Sequence, residues 1–444
     1  MPLTRSQAAC WLHLFSALVL ACALPASLAQ PTFVSASSPL VLWGGRPSVN
    51  ASDGSVAFDW EGTSASFVVT GVGATVTMWS NITLDAAHSG RVSVYVNDQD
   101  AANLMLHQAT PSYLLAAALP FASNNITVLY AFEPGSSGAD RTALRTPSIF
   151  GFSAGSGGAF GAPTPAARRI DILGDSISAG SMYDRLESVG GALSLGTGCH
   201  PWSPPTSYSS ASNWETYLCR YFRANCSTTA WSGGVLVDPS VSHCPPRAHI
   251  PQLYTQTFGT GPEAWDFARA TRPDLVIIYL GTNDFACANV TDALFTAAAG
   301  QLMRNVTRYY SASPGPAAAT RFMLAVGPMS PTRPLAAIAA AIAAASAEGI
   351  AASLLDMRNV TLDGCGSHPC VCGWEGQRRA PCGSGGALGG GRTSFLRHPL
   401  NPPPSHSSLL RCAVLAHIPC RGPVGHWSMA LEAAPQIKAL MGWD

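Results

Sequence analysis

The chain is 444 residues long, with formal net charge zero, only 11 % charged residues and 47 % hydrophobic ones. That length allows two ordinary domains and a large core. The even charge balance shows no basic stripe, which argues against nucleic acid as a partner.

The N-terminus has the layout of an export signal. Arg5 supplies the positive end, Ala8 to Ala21 is mostly apolar, and Ser27-Leu28-Ala29 offers small residues before a cleavage point at Gln30. Residues 1–29 are therefore expected to be removed. The apolar core is short for a membrane span, so no membrane association is expected after cleavage. Seven N-x-Ser/Thr sequons, at Asn50, Asn81, Asn125, Asn225, Asn289, Asn305 and Asn359, suit a glycosylated secreted protein.

From residue 31 to 154 short alternating runs dominate. "SVAFDW", "SASFVVTGV", "ATVTMWS", "RVSVYVN" and "NITVLYAF" are rich in Val, Thr and aromatics, with Gly, Asn and Asp between them. This is the rhythm of an antiparallel β-sandwich. "GSGGAFGAPTPAA", within 155–167, reads as a linker. From 168 onward apolar strands alternate with helices. "RRIDILGDS", "CSTTAWSGG", "PDLVIIYLGTND", "RFMLAVGPMS" and "IAASLLDM" read as strands. "SNWETYLCRYFRA", capped by Ser212 or Asn213, reads as a helix, and so does "PLAAIAAAIAAASAEG", stopping at Gly349. That alternation predicts a parallel sheet covered on both faces, with sites at the C-terminal strand ends.

Three of these strands end in polar, glycine-containing turns: Gly174-Asp175-Ser176, Trp231-Ser232-Gly233-Gly234 and Gly281-Thr282-Asn283-Asp284. Acyl transfer needs a serine hydroxyl, a base to take its proton, and donors aimed at the developing oxyanion. Ser176, Gly233 and Asn283 are the residue types that chemistry requires. A glycine lets its N–H approach closely, and an asparagine amide donates without titrating.

The blocks "GDSIS", "AWSGG", "LGTND" and, at 364–369, "GCGSHP" occur in the order seen in the SGNH (GDSL) hydrolase superfamily, which the chain resembles from about Arg169 onward. With a sandwich ahead of it, and with "AWDFARATRPDLVIIYLGTND" before the asparagine block, the chain is most similar to carbohydrate esterase family two. The resemblance implies a jelly-roll-like sandwich followed by an α/β/α domain. It also implies an enzyme acting on acetylated polysaccharide or oligosaccharide; that chemistry needs no cofactor or metal, and a monomer is expected. Ser176 would be the nucleophile and His368 the base, with oxyanion donors from Ser176, Gly233 and Asn283.

Two departures stand out. The family's Asp three residues before the histidine is replaced by Cys365. Either a backbone carbonyl orients His368, giving a Ser-His dyad, or Asp363 does. Next, "HP" is followed by about fifty residues rich in Gly, Pro and Cys before Gly425-His426 and a closing helix. The segment from about 370 to 421 reads as an insertion, of retained-intron type. Without it and the signal, six cysteines remain, an even number that suits disulfides. The alternative, a Cys/His metal module using His398, His406 and His417, lacks compact zinc spacing. His426 is the competing base. Trp214, Trp231 and Trp265 are either core residues or a sugar-stacking surface. Two other functions stay open: a lipid or small-ester hydrolase, and a carbohydrate-binding protein without catalysis.

Overall fold

In the computed structural model, described residues are 32–81, 90–106, 110–131, 147–155, 157–180, 211, 213–313, 319–328, 332–360 and 424–443. The N-terminal part, up to residue 161, is a sandwich of two antiparallel sheets. Its strands are β1 (Phe33–Ser35), β2 (Leu42–Gly44), β3 (Ser48–Val49), β4 (Val56–Ala57), β5 (Ser64–Thr70), β6 (Val76–Asn81), β7 (Gly90–Val96), β8 (Gln99–Leu106), β9 (Ser112–Ala116), β10 (Ser123–Tyr130), β11 (Ser148–Ala154) and β12 (Ala159–Gly161). One sheet runs β3-β4-β11-β6-β9 with β1 beside β11. The other runs β12-β5-β10-β7-β8 with β2 beside β5. Along β5 every second residue is buried, so Ala65, Phe67 and Val69 point inward. The rings of Phe67, Phe152 and Phe160 meet between the sheets.

The stretch expected to be a linker at 155–167 is not one throughout. Ala159–Gly161 pairs with β5, and Phe160 is buried in the sandwich core. Its Gly/Ala content disguised an edge strand whose single aromatic residue supplies the reason to pair.

The second half holds a five-stranded parallel sheet. Its strands are β13 (Arg168–Gly174), β14 (Ala224–Ala230), β15 (Leu275–Tyr279), β16 (Arg321–Val326) and β17 (Ala352–Asp356), in the order β14-β13-β15-β16-β17. Helix α1 (Trp214–Phe222) and the closing helix α4 (Val424–Met441) cover one face. Helices α2 (Asp292–Tyr309) and α3 (Leu335–Ala347) cover the other. Strand β15, "LVIIY", is buried on both faces. Val276 and Ile278 face α2 and α3, while Leu275, Ile277 and Tyr279 face α1 and α4. Alternation across a doubly covered sheet explains the unbroken apolar run. The fold is therefore a sandwich plus an α/β/α layer, as expected.

Local signals set the helix ends. Asn213 caps α1, its side chain accepting the Thr216 N–H at 2.8 Å. Thr291 caps α2 through the Leu294 N–H. Gly349, with φ +77°, follows the end of α3.

The sandwich and the parallel sheet meet through buried polar contacts. Arg46 is buried with its guanidinium over the Tyr254 ring, and it donates to the carbonyls of Tyr254 and Gln256. Asp59 accepts from the Gly259 and Thr260 N–H groups and from the Thr260 hydroxyl. Tyr95 donates to the Ala211 carbonyl at 2.9 Å.

Candidate active site

In the order β14-β13-β15, chain direction reverses its lateral progress at β13. Such a switch point opens a crevice beyond the carboxyl ends of the strands. Gly174, Ala230 and Tyr279 lie side by side there, in register. The three turns that follow carry Ser176, Gly233 and Asn283.

The first turn is tight. Asp175 Oδ1 accepts the Ile177 N–H at 3.0 Å, and the Asp175 carbonyl accepts the Ala179 N–H at 2.9 Å. A side chain at Gly174 would collide with Ser178, whose Oγ lies 2.0 Å from where a Cβ would stand. Ser176 itself stays half-buried while Asp175 and Ile177 on either side are buried. The sequence thus folds so that the serine, of the three, keeps access to solvent.

In the second turn Gly233 has φ +79°, and a Cβ there would meet nothing within 4 Å. Glycine is needed for the backbone conformation, and the space beside it is open. Gly234 is instead crowded by Ile250 and the Trp231 carbonyl.

The third turn links the other two. Asn283 Nδ2 donates to Asp175 Oδ2 at 3.3 Å and to the Gly234 carbonyl at 3.2 Å. Asp284 is buried and accepts the Leu236 and Val237 N–H groups at 2.9 and 2.8 Å. Burial pushes the Asp284 carboxyl up to about 6, those N–H groups opposing the shift. Burial, with Asp284 adding to it, pushes Asp175 up to about 7.

Behind the first turn lies a further buried carboxyl. Glu215 on α1 sits with Ser178, Thr228 and Asn213. Its burial raises it to about 8 against the opposing pull of those three partners. Asn213 also donates to the Ser178 carbonyl at 2.6 Å, tying α1 to the serine turn.

The structure brings together Ser176, Gly233 and Asn283. His368, Asp363 and the 370–421 segment lie outside the described residues, as do the signal and His398, His406 and His417. His426 is buried on α4, and its Nδ1 accepts the Trp214 N–H at 3.3 Å, so that nitrogen serves the start of α1. Trp214 and Trp231 are core residues, edge-on to Tyr279 and Trp60 respectively, and offer no sugar-stacking face. Trp265 is half-buried near the Arg46 guanidinium. Two features escaped the reading of the sequence. Arg247 Nη1 donates to Asn283 Oδ1 at 3.2 Å. Disulfide Cys244–Cys287 joins the segments after the second and third turns, and Cys219–Cys226 joins α1 to β14. Spacing gave no cue to either pairing. No helix among the described residues is long and apolar enough to cross a membrane.

A sandwich before a parallel sheet with three polar strand ends at its switch point defines the fold class, that of the family two carbohydrate esterases. Solved structures agree. The chain superposes on a family two carbohydrate esterase from Clostridium thermocellum, in complex with cellohexaose, with TM-score 0.63 and 19 % identity. The match covers 91 % of this chain and all of that one. A family two esterase from Cellvibrio japonicus gives 0.61 and 18 %, covering 93 % and 98 %. An acetyl xylan esterase from Butyrivibrio proteoclasticus gives 0.62 and 16 %, covering 93 % and all. Among curated proteins, the cellulase/esterase CelE of Acetivibrio thermocellus is 29 % identical over 163 residues. Those are 36 % of this chain, and the chain spans 18 % of that protein's length. No family model matches the chain. The resemblance read from the four blocks is borne out in the fold.

Proposed function

We propose that the protein is a secreted, monomeric serine esterase that removes acetyl or other short acyl groups from polysaccharide. Ser176 Oγ attacks the ester carbonyl, and His368 takes its proton. The Ser176 and Gly233 N–H groups and the Asn283 amide hold the oxyanion. As the tetrahedral adduct collapses, His368 returns the proton to the departing sugar hydroxyl. Water, deprotonated by the same histidine, then releases the carboxylic acid and restores Ser176.

One observation carries the reading: three turns bearing the nucleophile and two donors converge at the switch point of one sheet and are hydrogen-bonded to one another through Asn283. The sugar substrate is suggested by relatives solved with cellohexaose or named as an acetyl xylan esterase. The two disulfides support passage through an oxidising compartment. A second reading, sugar binding without turnover, has one point in its favour. In a solved structure that superposes on the chain with TM-score 0.54, a carbohydrate esterase active site displays divergent catalytic and non-catalytic binding functions.

The test is hydrolysis of 4-nitrophenyl acetate and acetylated xylan by the full chain and by a variant lacking about 370–421, each with a Ser176→Ala control. Turnover lost in the control supports the esterase. Folded protein that binds oligosaccharide yet turns over neither substrate supports the binding reading. Preference for long acyl chains supports a lipid esterase.

A further inference from the structure

We propose that Arg247 is a positioning residue for the oxyanion-holding amide of Asn283, kept in place by the Cys244–Cys287 disulfide; the inference rests on the esterase reading. An amide's oxygen and nitrogen ends have nearly the same shape, so a pocket must choose which end points where. A guanidinium can only donate. Arg247 Nη1, at 3.2 Å, therefore fixes Oδ1 toward itself and turns Nδ2 toward the serine turn. Asp175 and the Gly234 carbonyl, which can accept, select the same orientation from the other end.

Arg247 also acts through charge. Donation to Oδ1 by a cation polarises the amide and strengthens its N–H groups as donors. The Nδ2 contacts to Asp175 and Gly234 are long, at 3.3 and 3.2 Å. A fully charged oxyanion competes well against them. Among the described residues no carboxylate lies within ion-pair distance of Arg247, though its charge also acts on the buried Asp284 carboxyl beside Asn283. Its guanidinium hydrogen-bonds to Asn283.

The supporting frame is specific. Cys244 lies three residues before Arg247, and Cys287 lies four after Asn283. One covalent bond thus joins the segment that carries the guanidinium to the one that carries the amide. Backbone bonds between Val235 and both Ala248 and Ile250 fix the other side of Arg247 against the glycine turn.

The test compares Arg247→Met, Arg247→Lys, Asn283→Ala and the Arg247→Met/Asn283→Ala double variant in the full chain. Steady-state turnover of 4-nitrophenyl acetate is read alongside the Asn283 side-chain amide resonance, assigned by its loss in Asn283→Ala. The expected result is a kcat roughly tenfold lower in Arg247→Met with KM within about twofold, and partial recovery in Arg247→Lys. In the Asn283→Ala background Arg247→Met should cost nothing further. The amide resonance should move in Arg247→Met. A full additive loss in the double variant, or a raised KM at unchanged kcat, overturns the proposal. So does an unmoved amide resonance, even if the wild type turns over no ester. Absence of turnover with a moved resonance overturns the esterase reading and leaves the Arg247–Asn283 coupling standing.

Discussion

Glu215→Gln tests the buried carboxyl behind the serine turn. The side chain is fully buried, and its carboxyl is raised from an ordinary 4.5 to about 8. Between those two pH values the folded chain keeps a proton that the unfolded chain has released. Stability from this group is therefore fully present below pH 4.5 and is lost as pH rises. At about 1.4 kcal/mol per pH unit, the loss reaches about 5 kcal/mol by pH 8. That is comparable with the whole stability of a small domain. Glutamine has the shape of the neutral acid. It can accept from Thr228 and Asn213 as Glu215 does. Glu215→Gln should match the wild type near pH 4.5 and become more stable than it as pH rises toward 8, removing this part of the slope. Urea unfolding at pH 4.5, 6, 7.5 and 9 reads the difference. An equal destabilisation at every pH, with the wild-type slope intact, would refute the reasoning. It would mean that Glu215 is held as an anion and that its three polar neighbours outweigh burial.

Gly233→Ala puts a side chain at φ +79°. We expect a loss of about 1 kcal/mol in stability from the left-handed backbone, and a larger fall in kcat if the Gly233 N–H holds the oxyanion, both read on the same preparation. Removing Cys244–Cys287, whose partners are 43 residues apart, should cost about 4 kcal/mol in urea unfolding by chain entropy, and removing Cys219–Cys226, 7 apart, about 2 kcal/mol. Glycopeptide mapping should find sugar at the exposed Asn50, Asn125, Asn289 and Asn359. Asn225 should be bare, because its amide donates to the Trp43 carbonyl at 3.2 Å where the sandwich meets β14.

The parallel sheet was legible because burial on both faces leaves a plain mark. "LVIIY" and "RFMLAV" can be little else, and the polar turns after such strands are where sites form. That rule, with the needs of acyl transfer, singled out Ser176, Gly233 and Asn283 as the proposed site residues. Strand β8 was not legible. "QDAANLML" lacks the branched and aromatic residues that announce strands, and only its turn betrays it. Asn97 and Asp98 both have positive φ, the two-residue hairpin geometry that brings Gln99 back beside Val96. Arg247 and Glu215 were hidden for a different reason. Each acts through a partner distant in sequence, Asn283 for one and Thr228 for the other. No periodicity links a loop arginine to a loop asparagine 36 positions away.

The contacts between the halves argue that the sandwich braces the site. Trp60 leaves the sandwich and is fully buried in the core of the parallel-sheet half, edge-on to Trp231. Trp231 opens the turn that carries Gly233, and its N–H bonds back to the Gly174 carbonyl just before the serine turn. A large buried aromatic from the first half therefore packs on the residue that joins two of the three turns. Arg46 and Asp59 hold the same face lower down, at Tyr254 and at Gly259-Thr260. Burying a guanidinium and a carboxylate is favourable only where their partners stay fixed. Those partners, backbone groups and the Thr260 hydroxyl, belong to one continuous stretch, residues 254–260. That stretch follows the single helical turn at Ile250–Leu253, whose first residue bonds to Val235 beyond the glycine turn. Rigidity supplied by the sandwich thus reaches Gly233 from two sides, through Trp60 and through residues 250–260. An oxyanion donor must not shift as charge develops, so under the proposed esterase function this double support would let the sandwich steady the Gly233 turn without contributing a site residue of its own.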